Sequence, residues 1–249
     1  MLVAESERIQ VASGPASKDL AVSCRGVTKT YGAGASAVRA LRGVDLEVRR
    51  GELLMMVGPS GCGKTTLISV IAGILDADEG ECRVFGQDFK TLRGDARTRL
   101  RGRTIGFVFQ AFNLLPSLTA AQNVAVPLML LGESRTAAEK QGRELLARVG
   151  LADKASKRPA ELSGGQQQRV AIARSLIHKP GLMVCDEPTS ALDHETGHAV
   201  MELLKEIATG EERALIVVTH DSRIFPFADR IARMDDGRIT RIEEEPGGK

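Results

Sequence analysis

The run Gly58-Pro59-Ser60-Gly61-Cys62-Gly63-Lys64-Thr65, followed by Thr66, has the spacing GxxxxGK(S/T). Glycines at those places let the backbone curl so that successive N–H groups face one point, the geometry that cradles phosphate oxygens. A helix reads from Lys64 to about Gly73, and its N-terminal end adds positive potential at the same point. Lys64 is then placed to reach the β- and γ-phosphates, and the Thr65 hydroxyl to hold Mg²⁺. A glycine turn can be merely structural. Here the apolar run Glu52 to Val57 precedes it and an amphipathic helix follows, which is the context a phosphate loop requires.

A second run, Leu182-Met183-Val184-Cys185-Asp186-Glu187, brings two carboxylates to the end of an apolar strand. Such strand ends are where α/β sheets bind ligands. Asp186 suits a Mg²⁺ shell, and Glu187 suits the polarisation of an attacking water. An apolar run ending in Asp-Glu is common where a strand meets a loop. Beside a phosphate loop it points to hydrolysis of a nucleoside triphosphate. A third run is Leu162-Ser163-Gly164-Gly165-Gln166-Gln167-Gln168-Arg169. Ser163 and Gln166 have capping-box spacing, and glycines at a helix N-terminus can form a second anion site.

The sequence Leu162 to Gln166 resembles the signature of ABC-type ATPases, and further residues match in order. Gln110, after the strand Ile105 to Phe109, matches the glutamine loop, which the resemblance implies touches Mg²⁺ and senses a membrane partner. Ser190-Ala191-Leu192-Asp193 matches the loop that communicates across the dimer. His220, after the strand Ala214 to Thr219, matches the switch histidine at the γ-phosphate. Tyr31 matches the aromatic that stacks on adenine, which makes ATP the implied nucleotide. The likeness covers about Leu20 to Ile242. It implies a head-to-tail homodimer in which Ser163, Gly164, Gly165, Gln166 and Asp193 of one subunit close over the ATP held by Lys64 of the other.

These residues need a scaffold, and the apolar patterning supplies one. Val44 to Val48, Glu52 to Val57, Cys82 to Phe85 and Ile105 to Phe109 read as strands. Leu182 to Cys185 and Ala214 to Thr219 are continuous apolar runs of the kind found in buried parallel strands. Helical patterns run over Thr119 to Leu131 and Thr136 to Val149, the second with a Thr136/Glu139 capping box and a stop at Gly150. No strong strand falls between about Gln110 and Lys179. A helix from about Glu195 to Ala208 follows, then a hairpin of Ile231 to Met234 and Arg238 to Ile242 around Asp236-Gly237. The fold expected is α/β, a P-loop NTPase core of the ABC ATPase type. It has a mixed sheet, N-terminal antiparallel strands and a helical subdomain inserted at about 111–179. Residues 1–19 read as a flexible leader, 20–242 as the ATPase domain and 243–249 as a flexible tail.

Composition narrows the function. The 249 residues carry a net charge of +2 and 3% aromatics, with no Trp and one Tyr. That disfavours a nucleic-acid binder, which needs a basic field and stacking platforms. The four cysteines form no CxxC pair and read as small buried thiols of a reducing compartment. No apolar run approaches the roughly 20 residues that span a bilayer, so a membrane role needs a partner. Chromosome-type ABC ATPases carry coiled coils, absent here, and translation-type members usually carry two cassettes. A soluble ABC-type ATPase acting on DNA or ribosomes is therefore the weaker alternative. The segment Phe107 to Pro116, with Leu118-Thr119 and Asn123-Val124, resembles the ATPases of lipoprotein release and macrolide export (LolD-like and MacB-like). His220 to Phe225 with Phe227 to Ile231 resembles the DevA-type branch. The resemblance implies the ATP-hydrolysing subunit of an exporter at the cytoplasmic face of the inner membrane. Its partners would be a permease with a large extracytoplasmic domain and a periplasmic adaptor.

Overall fold

The computed structural model describes residues 19–190, 192–208 and 213–244. The leader up to residue 18, Ala191 of the dimer-loop match and residues 245–249 of the tail lie outside them. Two sheets and a helical lobe make up the described chain. β1 (Leu20–Tyr31), β2 (Val38–Arg49), β4 (Glu79–Val84) and β5 (Gln87–Asp88) form an antiparallel sheet in the order β2-β1-β4-β5. β3 (Leu53–Val57), β6 (Ile105–Val108), β7 (Leu182–Asp186), β8 (Ala214–Val218), β9 (Arg230–Asp235) and β10 (Arg238–Glu244) form the second sheet, ordered β10-β9-β3-β8-β7-β6. Its strands are parallel except β10, which returns antiparallel to β9.

The central strands are apolar throughout because both faces are covered. On β3, Leu54 and Met56 join a core with the antiparallel sheet and α1 (Lys64–Ile71), while Leu53, Met55 and Val57 enter a second core on the other face. β7 and β8 divide their side chains in the same alternation. That second core also takes side chains of α5 (Gly164–Leu176) and α6 (His194–Ala208). A third core belongs to the helical lobe of α3 (Ala120–Leu130), α4 (Arg135–Arg148) and α5, which lies between β6 and β7 in the chain.

The structure bears out the expected fold class, the helical stretch without strands and the hairpin. Asp236 and Gly237 both have positive φ (39° and 75°), the two-residue turn that matches strand twist. Several boundaries differ. The Thr136/Glu139 capping box is not formed. Ser134 caps α4 by accepting from the Ala137 N–H, and Glu139 instead pairs with Arg135 at 2.6 Å. A Ser two residues upstream met the same helix start, and one cap excludes the other. β10 runs to Glu244, two residues beyond the expected end of the folded region, because the Glu243 carboxylate pairs with Arg233 across the hairpin. The strand expected at Cys82 to Phe85 starts earlier and ends at Val84, where Phe85 turns with φ 47°. α2 (Gly94–Thr104) was not legible: it fully buries no residue, and the packing of Leu100 against the first core is too little to make an apolar stripe.

Candidate functional site

The parallel strands all end at one edge of the sheet, and the expected catalytic residues sit there. The phosphate loop follows β3, Gln110 follows β6, Asp186 ends β7 and His220 lies two residues past β8. The loop is held so tightly that two glycines are obligatory. Gly63 caps α1 with φ 104°, and a Cβ there would strike the Ala40 carbonyl; a Cβ on Gly58 would strike the Met234 carbonyl. Pro59, Ser60 and Gly61 are exposed at the tip, Thr66 is half-buried, and Cys62 points inward. Lys64 is buried, and its ammonium donates to the Gly58 carbonyl (2.7 Å) and the Pro59 carbonyl (2.8 Å). The cation is thus folded over the loop that would surround a phosphate.

Two further groups of side chains meet nearby. The Thr65 hydroxyl donates to Asp186 Oδ2 at 3.1 Å. Burial pushes the Asp186 carboxyl up. The Thr65 hydrogen bond opposes that push, the Glu187 charge adds to it, and Lys64 counters it. A hydroxyl beside a carboxylate held against its own ionisation is a hard-oxygen pair that a divalent cation would relieve, and it fits Mg²⁺. Beside it, Glu187 accepts from Gln110 Nε2 at Oε2 (3.0 Å) and meets His220 Nδ1 at Oε1 (3.0 Å). Glu187 has φ 49°, and its N–H continues the ladder by donating to the Val218 carbonyl (2.9 Å). A non-glycine residue held in this region costs on the order of 1–3 kcal/mol and persists only where its surroundings impose it.

The other expected residues make local bonds. Ser163 and Gln166 form the capping box of α5, each side chain meeting the other's backbone N–H (3.3 and 3.0 Å). Gly164 is exposed, and Gly165 faces Thr196 closely enough that a Cβ would clash with it. Asp193 caps α6 through the Thr196 N–H and hydroxyl. Tyr31 ends β1 and is exposed. Among the described residues, no hydrogen bond or ion pair joins Ser163–Gln166, Asp193 or Tyr31 to the phosphate loop.

Sequence reasoning missed the groups that shape the loop after Gln110. Arg174 of α5 donates to the carbonyls of Asn113 (2.5 Å) and Phe112 (2.8 Å), both residues having φ 49°. Asn123, fully buried, accepts from the Leu115 N–H and donates to the carbonyls of Leu115, Leu118 and Thr119. Arg174 carried no sequence signal and Asn123 entered only as part of a resemblance, with no role, because each partner lies on a segment of irregular backbone.

The family model described as ABC transporter matches residues 41–190. The chain belongs to the ABC transporter family. It is 47% identical over 213 residues to an uncharacterized ABC transporter ATP-binding protein of Mycobacterium tuberculosis, covering 86% of this chain. That match spans 64% of the relative's length, so the chain matches somewhat less than two thirds of that relative. It is 42% identical to the lipoprotein-releasing system ATP-binding protein LolD of Pseudomonas syringae pv. tomato, covering 88% of this chain and 96% of LolD. Among solved structures, the ATP-binding cassette MJ0796, dimeric and bound to ADP and Pi in a post-hydrolysis state, superposes with a TM-score of 0.84 at 40% identity, covering 91% of this chain and all of MJ0796. The chain thus carries an ABC-type ATPase domain, with LolD among its relatives. Among the described residues, no helix is long and apolar enough to cross a membrane.

Proposed function

We propose that this chain binds Mg-ATP and hydrolyses it in a site shared by two copies, and that it thereby drives a separate permease in export. The observation that carries the reading is the meeting of Gln110, Glu187 and His220 at the sheet edge that also holds the Lys64 loop and the Thr65–Asp186 pair. Glu187 polarises the water, His220 holds Glu187 and reaches the γ-phosphate, and Lys64 exchanges loop carbonyls for phosphate oxygens. Mg²⁺ held by Thr65, Asp186 and Gln110 supplies charge neutralisation at the phosphates. The gain comes from positioning and electrostatics.

Half of the site comes from a second subunit in this reading. Ser163–Gln166 and Asp193 stand exposed or half-buried at helix starts, with N–H groups suited to a γ-phosphate, and the relative MJ0796 is dimeric. Residues 20–242, extended to Glu244, are read as one ATPase domain with the helices of 111–179 inserted. The loop braced by Arg174 and Asn123 exposes Phe109 and Leu115, which suits it to receive a permease segment at the cytoplasmic face of the inner membrane. In this reading the permease has a large extracytoplasmic domain and is joined by a periplasmic adaptor.

The test is the concentration dependence of hydrolysis. A shared site makes activity per chain rise with protein concentration until the dimer is saturated. Activity strictly proportional to concentration down to the nanomolar range would refute the shared site. Purification from solubilised membranes should bring a permease; recovery with DNA or ribosomes and no membrane protein would refute the transport reading.

A further inference from the structure

The cysteines are far apart in sequence, but the antiparallel sheet brings two of them together. β1 and β4 are neighbours, with Cys24 directly opposite Cys82. Their Sγ atoms are 3.3 Å apart. Directly opposed residues of an antiparallel pair have Cα atoms about 4.5–5.5 Å apart, inside the roughly 4.4–6.8 Å that a disulfide spans. A bond between them therefore needs rotation of side chains and no shift of strands.

The two thiols differ in access. Cys24 is 1% exposed, in the core between the sheets. Cys82 is half-buried and lines a surface recess that also contains Lys90 and Arg97. We propose that Cys24 and Cys82 form a reversible dithiol–disulfide site that is oxidised by hydrogen peroxide, with Cys82 reacting first and Cys24 resolving. The hydrogen bond with Cys82 and burial hold the Cys24 thiol well above its ordinary range, in keeping with the second role rather than the first. Cys62 and Cys185 are buried elsewhere.

The chemistry balances with peroxide as the oxidant. The Cys82 thiolate attacks one peroxide oxygen, so an S–O bond forms, the O–O bond breaks, and the departing hydroxide leaves as water. Cys24 then attacks the Cys82 sulfur and gives its proton to the departing hydroxide, forming the S–S bond and a second water. Two thiols and one hydrogen peroxide yield one disulfide and two waters, with two electrons passing from sulfur to oxygen. A free thiol reverses the step by exchange. The closed segment, 58 positions from cysteine to cysteine, contains Tyr31, β2, β3 and the whole phosphate loop. Oxidation therefore staples the nucleotide-binding region to itself.

The experiment treats the reduced full-length protein with hydrogen peroxide. Titratable thiols under denaturing conditions should fall from four to two. The mass should drop by about two hydrogens per chain, and non-reducing peptide mapping should join Cys24 to Cys82. The melting temperature should rise by roughly 5–15 °C, the loop-entropy effect of a staple of this length in a chain of this size. Dithiothreitol should restore all four thiols. In Cys24→Ser, oxidation should stop at a sulfenic acid on Cys82, captured by a 1,3-diketone reagent. In Cys82→Ser no intramolecular bond should form. Four thiols persisting under peroxide would overturn the proposal. So would a linked peptide containing Cys62, or disulfides formed only between chains.

Discussion

Replacing Glu187 by Gln separates the chemistry of the site from its structure. In the wild-type protein one carboxylate oxygen accepts from Gln110 and the other meets His220 Nδ1, each at 3.0 Å. A glutamine amide keeps both bonds: its oxygen accepts from Gln110, and its NH₂ donates to Nδ1 of a neutral imidazole protonated at Nε2. The backbone of residue 187 and its ladder bond to Val218 are unaltered. Stability should therefore change by no more than about 0.5 kcal/mol, a melting shift of roughly 1–2 °C for a chain of this length. Nucleotide affinity should hold, because the change removes a negative charge near the phosphates. It also removes one of the contributions that raise the Asp186 carboxyl, so the Thr65–Asp186 pair keeps its capacity for a cation. What is lost is the base. A positioned general base contributes roughly 10²–10⁴-fold, or about 2.7–5.4 kcal/mol of barrier at about 1.36 kcal/mol per factor of ten. The assay is phosphate release at saturating Mg-ATP, with a parallel thermal melt and nucleotide titration. A kcat within threefold of wild type, in a variant that melts and binds normally, would refute the assignment of the water to Glu187.

Three further outcomes are expected. Lys64→Ala should weaken ATP binding at least tenfold by equilibrium titration, because the buried ammonium is the one cation bonded to the loop carbonyls among the described residues; unchanged affinity would sink the phosphate-loop assignment. Ser163→Arg places a long cation at the exposed start of α5, and should abolish hydrolysis in the dimer while ATP still titrates onto the Lys64 loop; persistent turnover would refute closure by a second subunit. Arg230→Met removes the cation 3.0 Å from the buried Glu52 carboxylate and should cost about 3–5 kcal/mol, a fall in melting temperature of roughly 6–20 °C. Burial already holds the Glu52 carboxyl above its ordinary range, against the bonds from Arg49 and Arg230. A raised folded-state pKa favours the folded state below the unfolded pKa, and that contribution is lost as pH rises through the folded pKa. The variant's deficit should therefore be smaller near pH 4.5 than at pH 7.5, measured by denaturant unfolding; a deficit independent of pH would refute the burial argument.

The outline of the site was legible because its parts are local. A glycine-rich loop between an apolar strand and a helix declares itself through residue type at fixed spacing, with the left-handed backbone of Gly63 as its local expression; the approach of the Met234 carbonyl to Gly58 is a tertiary contact that the spacing does not show. The paired carboxylates at the end of β7 and the turn at Asp236-Gly237 are equally local. The missed helix α2 shows the limit of that reading: its arginines leave no apolar stripe for periodicity to detect. The Thr136/Glu139 spacing shows another, since two possible caps two residues apart look alike until the chain selects Ser134.

Residue type and spacing by themselves determined a glycine-rich loop between strand and helix, an apolar strand ending in two carboxylates and the α/β succession that carries them, because backbone preference and apolar alternation act over a few residues. Only the tertiary structure decided which side chains meet. The Glu187 carboxylate joins residues 77 and 33 positions away. Arg174 reaches back about sixty positions to brace the Gln110 loop, and Glu52 finds Arg230 at a separation of 178. The cysteines, which by spacing alone were four unrelated buried thiols, became two single thiols and one pair. Strand register put Cys24 opposite Cys82, and register is set by the hydrophobic pattern and packing of whole strands rather than by any cysteine.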